Sequence, residues 1–280
     1  MFRRAVLAGI AFAAAFAVAP AAFAATPYDA EIAAWRQARE AALRADTGWL
    51  TVAGLFWLSE GATRFGAARS NEIVLPDGPN KAGQFIVQQD RVTVRMEGAA
   101  RELRPGPSGA VKVGRLSLIL LGRPGAYAIR LRDPESAYRR DFRGIESFPV
   151  RPEYRVTARF VPGDRTVTLD MSRGEKEDSR CPGYAVFDLG GRPLRLYALL
   201  ENPNARTLWF IFRDQTAGKE TYPAGRFLDA ELPRDGQVVL DFNKAYNPPC
   251  AFSPYLTCPL PPRENRLPVR IEAGEKSYGH

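Results

Sequence analysis

The chain has 280 residues, 45% of them hydrophobic, and carries 39 Lys and Arg against 31 Asp and Glu, a formal charge of +8. This length suffices for one large domain or two small ones. The basic residues alternate with acidic ones in blocks no longer than two, which argues against a nucleic-acid groove. The single histidine, His280, is terminal, which in practice excludes Ser-His-Asp and Cys-His catalysis and disfavours zinc.

Residues 1–24 are typical of a secretory signal peptide. Arg3 and Arg4 form a basic start, residues 6–18 are apolar, and residues 22–24 read Ala-Phe-Ala, a cleavage signature. No later segment approaches the roughly 20 apolar residues of a membrane span. We therefore expect a mature chain without a membrane span, of charge +6, that is periplasmic or secreted. An uncleaved N-terminal anchor is the alternative.

One amphipathic helix is predicted after this segment. Thr26 supplies an N-cap and Pro27 a first-turn proline. Apolar residues then recur near helical spacing up to Arg44, namely Ile32, Trp35, Ala38, Ala42 and Leu43.

From Gly48 onward the apolar period shifts towards two, which indicates half-buried strands. Turn signals separate these runs, at residues 77–78, 124–125, 162–163, 190–191 and 235–236. We predict an all-β fold, mainly an antiparallel sandwich or barrel, with one N-terminal helix, as a single domain over residues 25–280. Residues 132–152 are the likeliest divider if there are two sheets. Three tryptophans are interpreted as core or pocket lining: Trp49, Trp57 and Trp209.

Two segments place arginine among aromatic residues. Residues 132–144 hold four arginines, among them Arg132, and their guanidinium groups suit a carboxylate or phosphate. A solvated loop with weak local ion pairs is the alternative. Further on, Tyr222 precedes Gly225 and Arg226, and we expect Arg226 to reach Asp241 on the next strand or to face a ligand.

The segment 241–268 is the most informative part of the chain, because its prolines prevent a helix or a central strand. A long stiff loop of this kind builds a site or braces one. Cys250 and Cys258 lie within it, and a disulfide between them would stabilise the fold by about 2.5 kcal/mol. Cys181 is then left over, as a buried thiol.

Polar side chains are expected to serve this loop, since prolines deprive its carbonyl groups of a regular ladder. Asp241 and Asn243 should point away from Phe242, which enters the core. We predict that six side chains converge on one concave region: Arg226, Asp241, Asn243, Asn247, Glu264 and Asn265.

Taken together, these motifs resemble the bacterial family catalogued as domain of unknown function 1684. The specific block runs from Asp241 to Asn247 and continues through Cys250 and Cys258 to Asn265. Weaker blocks lie at residues 46–50, 54–58, 142–149, 212–214 and 221–228, so the resemblance spans nearly the whole mature chain. Family members without export signals carry both cysteines, which implies packed thiols as an alternative to the disulfide.

The function we expect is the binding of a small polar or anionic molecule beside the proline-rich loop, without a cofactor or metal. Charge would come from Arg132 and Arg226, and walls with polar tips from Tyr222 and Tyr246. Directional hydrogen bonds would come from Asp241, Asn243, Asn247, Glu264 and Asn265. One alternative is a histidine-free hydrolase using Asp241 or Glu264, with Asp133 and Asp141 as further candidate acids. Another is a structural envelope protein.

Overall fold

The computed structural model describes residues 26–123, 125–202 and 204–279, so the predicted signal peptide lies outside the described residues. The first element is helix α1 (Pro27–Arg44). Thr26 caps it through a reciprocal pair of bonds with Asp29, in which the Asp29 amide donates to Thr26 Oγ1 at 3.1 Å. No helix in the described part of the chain is long and apolar enough to cross a membrane.

Two sheets follow in the N-terminal half. Their apolar faces meet in one core that includes Phe65, Phe85, Leu118 and Ile129. The first has the strand order β1-β9-β8-β7 and the second β3-β2-β4-β5-β6. The strands are β1 (Val52–Trp57), β2 (Gly61–Gly66), β3 (Ile73–Val74), β4 (Gly83–Gln88), β5 (Arg91–Met96), β6 (Ala99–Glu102), β7 (Val111–Val113), β8 (Leu116–Arg123) and β9 (Ala126–Arg132).

The C-terminal half is a six-stranded sheet in the order β14-β13-β12-β11-β10-β15, and a four-residue helix, α2 (Ala137–Arg140), precedes it. The sheet curls into a nearly closed barrel. Just beyond β15, Tyr246 exchanges two backbone hydrogen bonds with Phe227 of β14, at 2.8 and 2.9 Å. The strands are β10 (Arg155–Asp170), β11 (Lys176–Leu189), β12 (Arg192–Leu200), β13 (Thr207–Phe212), β14 (Arg226–Glu231) and β15 (Gln237–Asp241).

The prediction of a mainly antiparallel β fold with an N-terminal helix is confirmed. One predicted turn is wrong, because Pro162 and Gly163 lie inside β10, where the register against β11 shifts. A Cβ on Gly183 would lie 2.2 Å from the Val161 carbonyl oxygen, so glycine permits the close passage of the two strands there.

Candidate functional site

An aromatic cavity lies on the outer face of the barrel. Along β13 and β14, Leu208, Phe210 and Leu228 point into the barrel core. The alternate residues Trp209, Phe227 and Asp229 therefore point outward. Trp209 lies directly opposite Asp229 in the pairing of the two strands.

Helix α1 and the chain after β15 cover this outward face. Trp35 and Arg39 are one helical turn apart and so share a face of α1. The ring centroids of Trp35 and Tyr246 are 6.5 Å apart, and the Arg39 guanidinium carbon lies 4.7 Å from the Tyr246 centroid. Trp209 packs edge-on against Phe227 at 4.9 Å.

We name the resulting space the tryptophan cavity; its volume is about 310 Å³. Its lining residues are Trp35, Ala38, Arg39, Trp49, Glu201, Trp209, Phe227, Asp229, Tyr246 and Pro249. Tyr246 and Pro249 come from the proline-rich loop, so the loop builds one wall of this cavity.

Polar groups in the cavity are few. The Tyr246 hydroxyl donates to Asp229 Oδ2 at 3.0 Å. Asp229 is exposed at the cavity edge, yet partial burial raises the pKa of its carboxyl, and the negative charge of Glu201 raises it further. The Trp209 Nε1 is buried without a hydrogen-bond partner among the described residues.

The guanidinium group of Arg39 already makes hydrogen bonds within the protein. Its Nε donates to Glu275 Oε1 at 3.1 Å, and its guanidinium also donates to the Asn247 carbonyl at 3.0 Å. Asp229 and Glu201, by contrast, form no ion pair within the described parts of the chain. The cavity therefore presents aromatic walls and two carboxylates to a molecule entering it, and one of its lining residues, Trp209, holds a buried indole N–H without a partner among the described residues.

Of the nine predicted site residues, Tyr246 alone lines this cavity. Asp241 and Asn243 meet at the Tyr28 hydroxyl, which donates to Asp241 at 2.7 Å and accepts from Asn243 at 3.0 Å. Asn243 also bonds both backbone groups of Arg151. Asp241 and Asn243 therefore join the loop to α1 and to the start of β10.

Two other predicted residues hold the C-terminal segment. The Asn247 amide donates to Glu275 Oε2 at 2.6 Å, and its side chain donates to the Lys276 carbonyl. Arg226 is buried and pairs with Asp214 at 3.3 Å, so the expected pair with Asp241 is wrong. It also donates to the Ile271 carbonyl at 2.9 Å.

Asn265 bridges two strands, because its side-chain amide bonds the backbone of Tyr197 and the carbonyl of Ile211. Glu264 faces solvent and pairs with Arg165 at 3.4 Å. Asp241 accepts from Tyr28 and Asn243, whereas Glu264 pairs with Arg165, so the two carboxylates have different partners. The predicted convergence of six polar side chains on one concavity is therefore wrong. Arg226 and Asn247 meet at Glu275 of the C-terminal segment, Asp241 and Asn243 meet at Tyr28, and Asn265 and Glu264 have other partners.

The remaining predicted residues lie outside the tryptophan cavity. Arg132 donates to the Gly48 carbonyl at 2.7 Å and to Thr51 Oγ1 at 2.9 Å, and burial lowers its pKa. Tyr222 is half-buried in a turn, away from the cavity. Trp57 is 56% exposed, so its predicted core or pocket role is also wrong.

The structure joins Cys250 and Cys258 by a disulfide with a Cα–Cα distance of 6.2 Å. Cys181 is a buried free thiol. The resemblance implied packed thiols as the alternative, and the bond in the structure contradicts it. No group of three His, Cys, Asp or Glu side chains that could hold a metal occurs within the described residues.

A wider cleft of about 1080 Å³ lies along residues 133–140 of the arginine-rich segment. Charged side chains that line this cleft form ion pairs with each other or with nearby residues. Arg115 pairs with Asp133 at 2.8 Å, and Arg139 pairs with Asp46 at 3.0 Å. Asp141, another acid suggested by the sequence, is exposed. We therefore favour the tryptophan cavity as the candidate site.

Sequence reasoning missed Trp35, Arg39, Glu201 and Asp229. The available signals were the four-residue spacing of Trp35 and Arg39, and the alternation that places Phe227 and Asp229 on one face. Neither signal reveals that the helix face lies over the strand face.

Comparison with known proteins supports the resemblance. Residues 140–276 match the family described as "Protein of unknown function (DUF1684)". The N-terminal blocks at residues 46–58 lie outside that match, so it is narrower than the resemblance suggested. A search of the curated proteins finds no match.

A solved relative is an uncharacterized protein of Haloarcula marismortui, determined by solution NMR. It is 37% identical, covers 51% of this chain and 81% of its own, and superposes with a TM-score of 0.43. The chain belongs to the DUF1684 family of proteins of unknown function.

Proposed function

We propose that the protein is exported and binds a small polar molecule in the tryptophan cavity. A volume of about 310 Å³ is within the range of small-molecule sites, which combine mainly apolar walls with a few converging polar groups. Trp35, Trp49 and Trp209 supply the walls, and the proline-rich loop closes one side through Tyr246 and Pro249.

The observation that carries the proposal is the buried Trp209 Nε1, which lacks a partner among the described residues. A buried donor without an acceptor costs about 1 to 3 kcal/mol, and native proteins satisfy nearly all such groups. A ligand oxygen would satisfy this donor once the Trp209 ring turns its buried N–H toward the cavity. The same ligand could donate to Asp229 or Glu201. Two carboxylates favour a neutral polar ligand over the anionic one that the sequence also allowed.

Native mass spectrometry of protein purified from the periplasm of its own host tests this proposal. We expect an additional mass on the wild type and on Trp57→Ala, whose exposed indole lies outside the cavity. Trp209→Ala should lose that mass while keeping its circular dichroism spectrum. Protein that carries no additional mass, or a Trp209→Ala variant that retains it fully, would refute binding in this cavity.

Hydrolysis is the second candidate, and the neighbouring carboxyls favour it. Burial and the charge of Glu201 raise the pKa of Asp229, which is the direction that a general acid requires. In this candidate Asp229 is the acid and Glu201, which lines the same cavity, is the base that activates water. Asp229→Asn would then abolish turnover of the bound molecule but leave it bound. If Asp229→Asn still binds the molecule and still turns it over, this candidate is eliminated.

A further inference from the structure

A second cavity adjoins the tryptophan cavity along the proline-rich loop. Trp209 and Glu201 line both, so they stand at the junction. We name the second space the loop cavity; its volume is about 360 Å³. The loop contributes Thr257 and Pro259 to this wall, just as Pro249 forms part of the first.

The loop cavity mixes apolar and hydrogen-bonding groups. Leu169 and Met171 are apolar, while Asp178 and Asn202 offer acceptors and an amide. Such a lining suits a molecule that has both apolar C–H faces and a rim of hydroxyl groups. A hydroxyl group can donate to a carboxylate and also accept from the indole N–H of Trp209.

A charged ligand fits the two adjoining cavities less well than a neutral one. An organic cation would seek aromatic faces, but Arg39 already lies 4.7 Å from the Tyr246 ring centroid. Two guanidinium groups already lie over the Trp49 ring. The guanidinium carbon of Arg130 is 5.4 Å from the ring centroid, and that of Arg132 is 5.5 Å from it. A cation there would meet other cations.

An anion would meet carboxylates instead. Glu201 and Asp229 line the first cavity, and Glu177 and Asp178 line the second. The arginine of the loop cavity, Arg180, is taken up by Asp164 at 3.0 Å. A neutral molecule rich in hydroxyl groups avoids both kinds of repulsion.

We propose that the two adjoining cavities together bind a neutral oligosaccharide. One ring would lie in the tryptophan cavity, one in the loop cavity, and Trp209 between them. This inference rests on the proposed binding function and specifies its ligand class. The rings would stack on the indole faces of Trp35 and Trp209, which bind apolar ring surfaces without requiring charge, because Arg130 and Arg132 already lie over Trp49. Their hydroxyl groups would bond Asp229, Glu201 and Asp178.

Tryptophan fluorescence titration with cellotetraose, maltotetraose and N-acetylchitotetraose tests this, with glucose and N-acetylglucosamine as single-ring controls. We expect one tetrasaccharide to bind at least tenfold more tightly than its own monosaccharide. Trp209→Ala should weaken that binding at least tenfold, and Trp57→Ala should not change it. Asp178→Ala should weaken the tetrasaccharide and spare the monosaccharide, because Asp178 lies in the second cavity.

The exact mass of any molecule released from the native protein separates the two proposals. A mass built from whole sugar units supports the oligosaccharide. A released molecule of another class, with no tetrasaccharide bound, overturns the oligosaccharide and leaves small-molecule binding standing. If no molecule is released and no probe binds, both proposals fail.

Discussion

The buried pair of Arg226 and Asp214 shows how a charged residue can stabilise the fold without contacting a ligand. Arg226 and Asp214 have side chains only 1% and 2% exposed. Asp214 also accepts from the Ile271 amide at 2.7 Å and from the Thr216 hydroxyl at 2.9 Å. Arg226 therefore fastens the C-terminal segment to the start of β14, where the sequence suggested a pair with Asp241 or a ligand contact.

Replacing Arg226 by Met should lower the free energy of unfolding by about 3 to 5 kcal/mol, because Asp214 is left as a buried charge without its partner. Urea denaturation measures this loss. Arg165→Met is the matched control, since the Arg165–Glu264 pair is 44% exposed on both sides and is worth about 0 to 1 kcal/mol. Equal losses in the two variants would show that burial does not determine the role of Arg226.

Asp229 should make stability depend on pH. Its folded-state pKa lies above the ordinary value of 3.8, so the folded protein holds more protons than the unfolded chain between those two values. The free energy of unfolding contributed by Asp229 therefore falls as the pH rises through that window. Asp229→Asn removes this fall, whereas Glu275, whose pKa burial also raises, contributes equally in both proteins.

The measurement is urea denaturation of the wild type and of Asp229→Asn from pH 3.5 to pH 7. The difference between the two proteins should change with pH in the direction stated, with the wild type losing its relative advantage as pH rises. Parallel curves over the whole range would contradict a raised pKa at Asp229.

At the scale of elements, the proline-rich loop is held by its disulfide and by side chains from other elements. The Ser172 hydroxyl accepts from the Cys258 amide at 3.1 Å, and the side chain of Asn265 ties the loop end to β12 and β13. The loop is therefore a fixed wall of both cavities and does not depend on a strand ladder for its position.

Removing the disulfide by Cys250→Ser with Cys258→Ser should cost about 2.5 kcal/mol, from the chain entropy regained by the unfolded state for a loop of this length. Urea denaturation with and without reductant measures it. Reductant should destabilise the wild type and leave the double variant unchanged. A wild type insensitive to reductant under unfolding conditions would contradict a stabilising bond in solution.

Local sequence patterns predicted the helix and strands, but they did not predict contacts between residues that are far apart in the sequence. The Thr26 cap and the period-two alternation depend on neighbours in sequence, so the sequence predicted α1 and the presence of half-buried strands. Arg226 was assigned to Asp241, yet its partner is Asp214, a choice made by the packing of the C-terminal segment. The tryptophan cavity requires α1 to lie across β13 and β14, which no local period encodes.

At the scale of the whole molecule, helix α1 connects the candidate site with the proposed export of the chain. The helix begins at Pro27, just after the predicted cleavage site, and contributes Trp35 and Arg39 to the cavity. Cleavage within the helix would therefore damage the site, whereas cleavage after Ala24 leaves it whole.

We predict that the protein is exported and that its mature form begins at or near Ala25. Intact-mass measurement of protein from the periplasmic fraction gives the cleavage point directly. Recovery of the chain in the membrane fraction with residues 1–24 retained would contradict export as a cleaved protein and favour an N-terminal anchor.

The central claim is that the tryptophan cavity holds the ligand. Fluorine NMR of protein labelled with 5-fluorotryptophan tests it most directly, because the chain has four tryptophans and three of them line the cavity. The small-molecule fraction released by heat from native protein is added to ligand-free protein. We predict that the signals of Trp35, Trp49 and Trp209 shift and that of Trp57 stays in place. A shift of Trp57 alone, or of no signal, would contradict the claim.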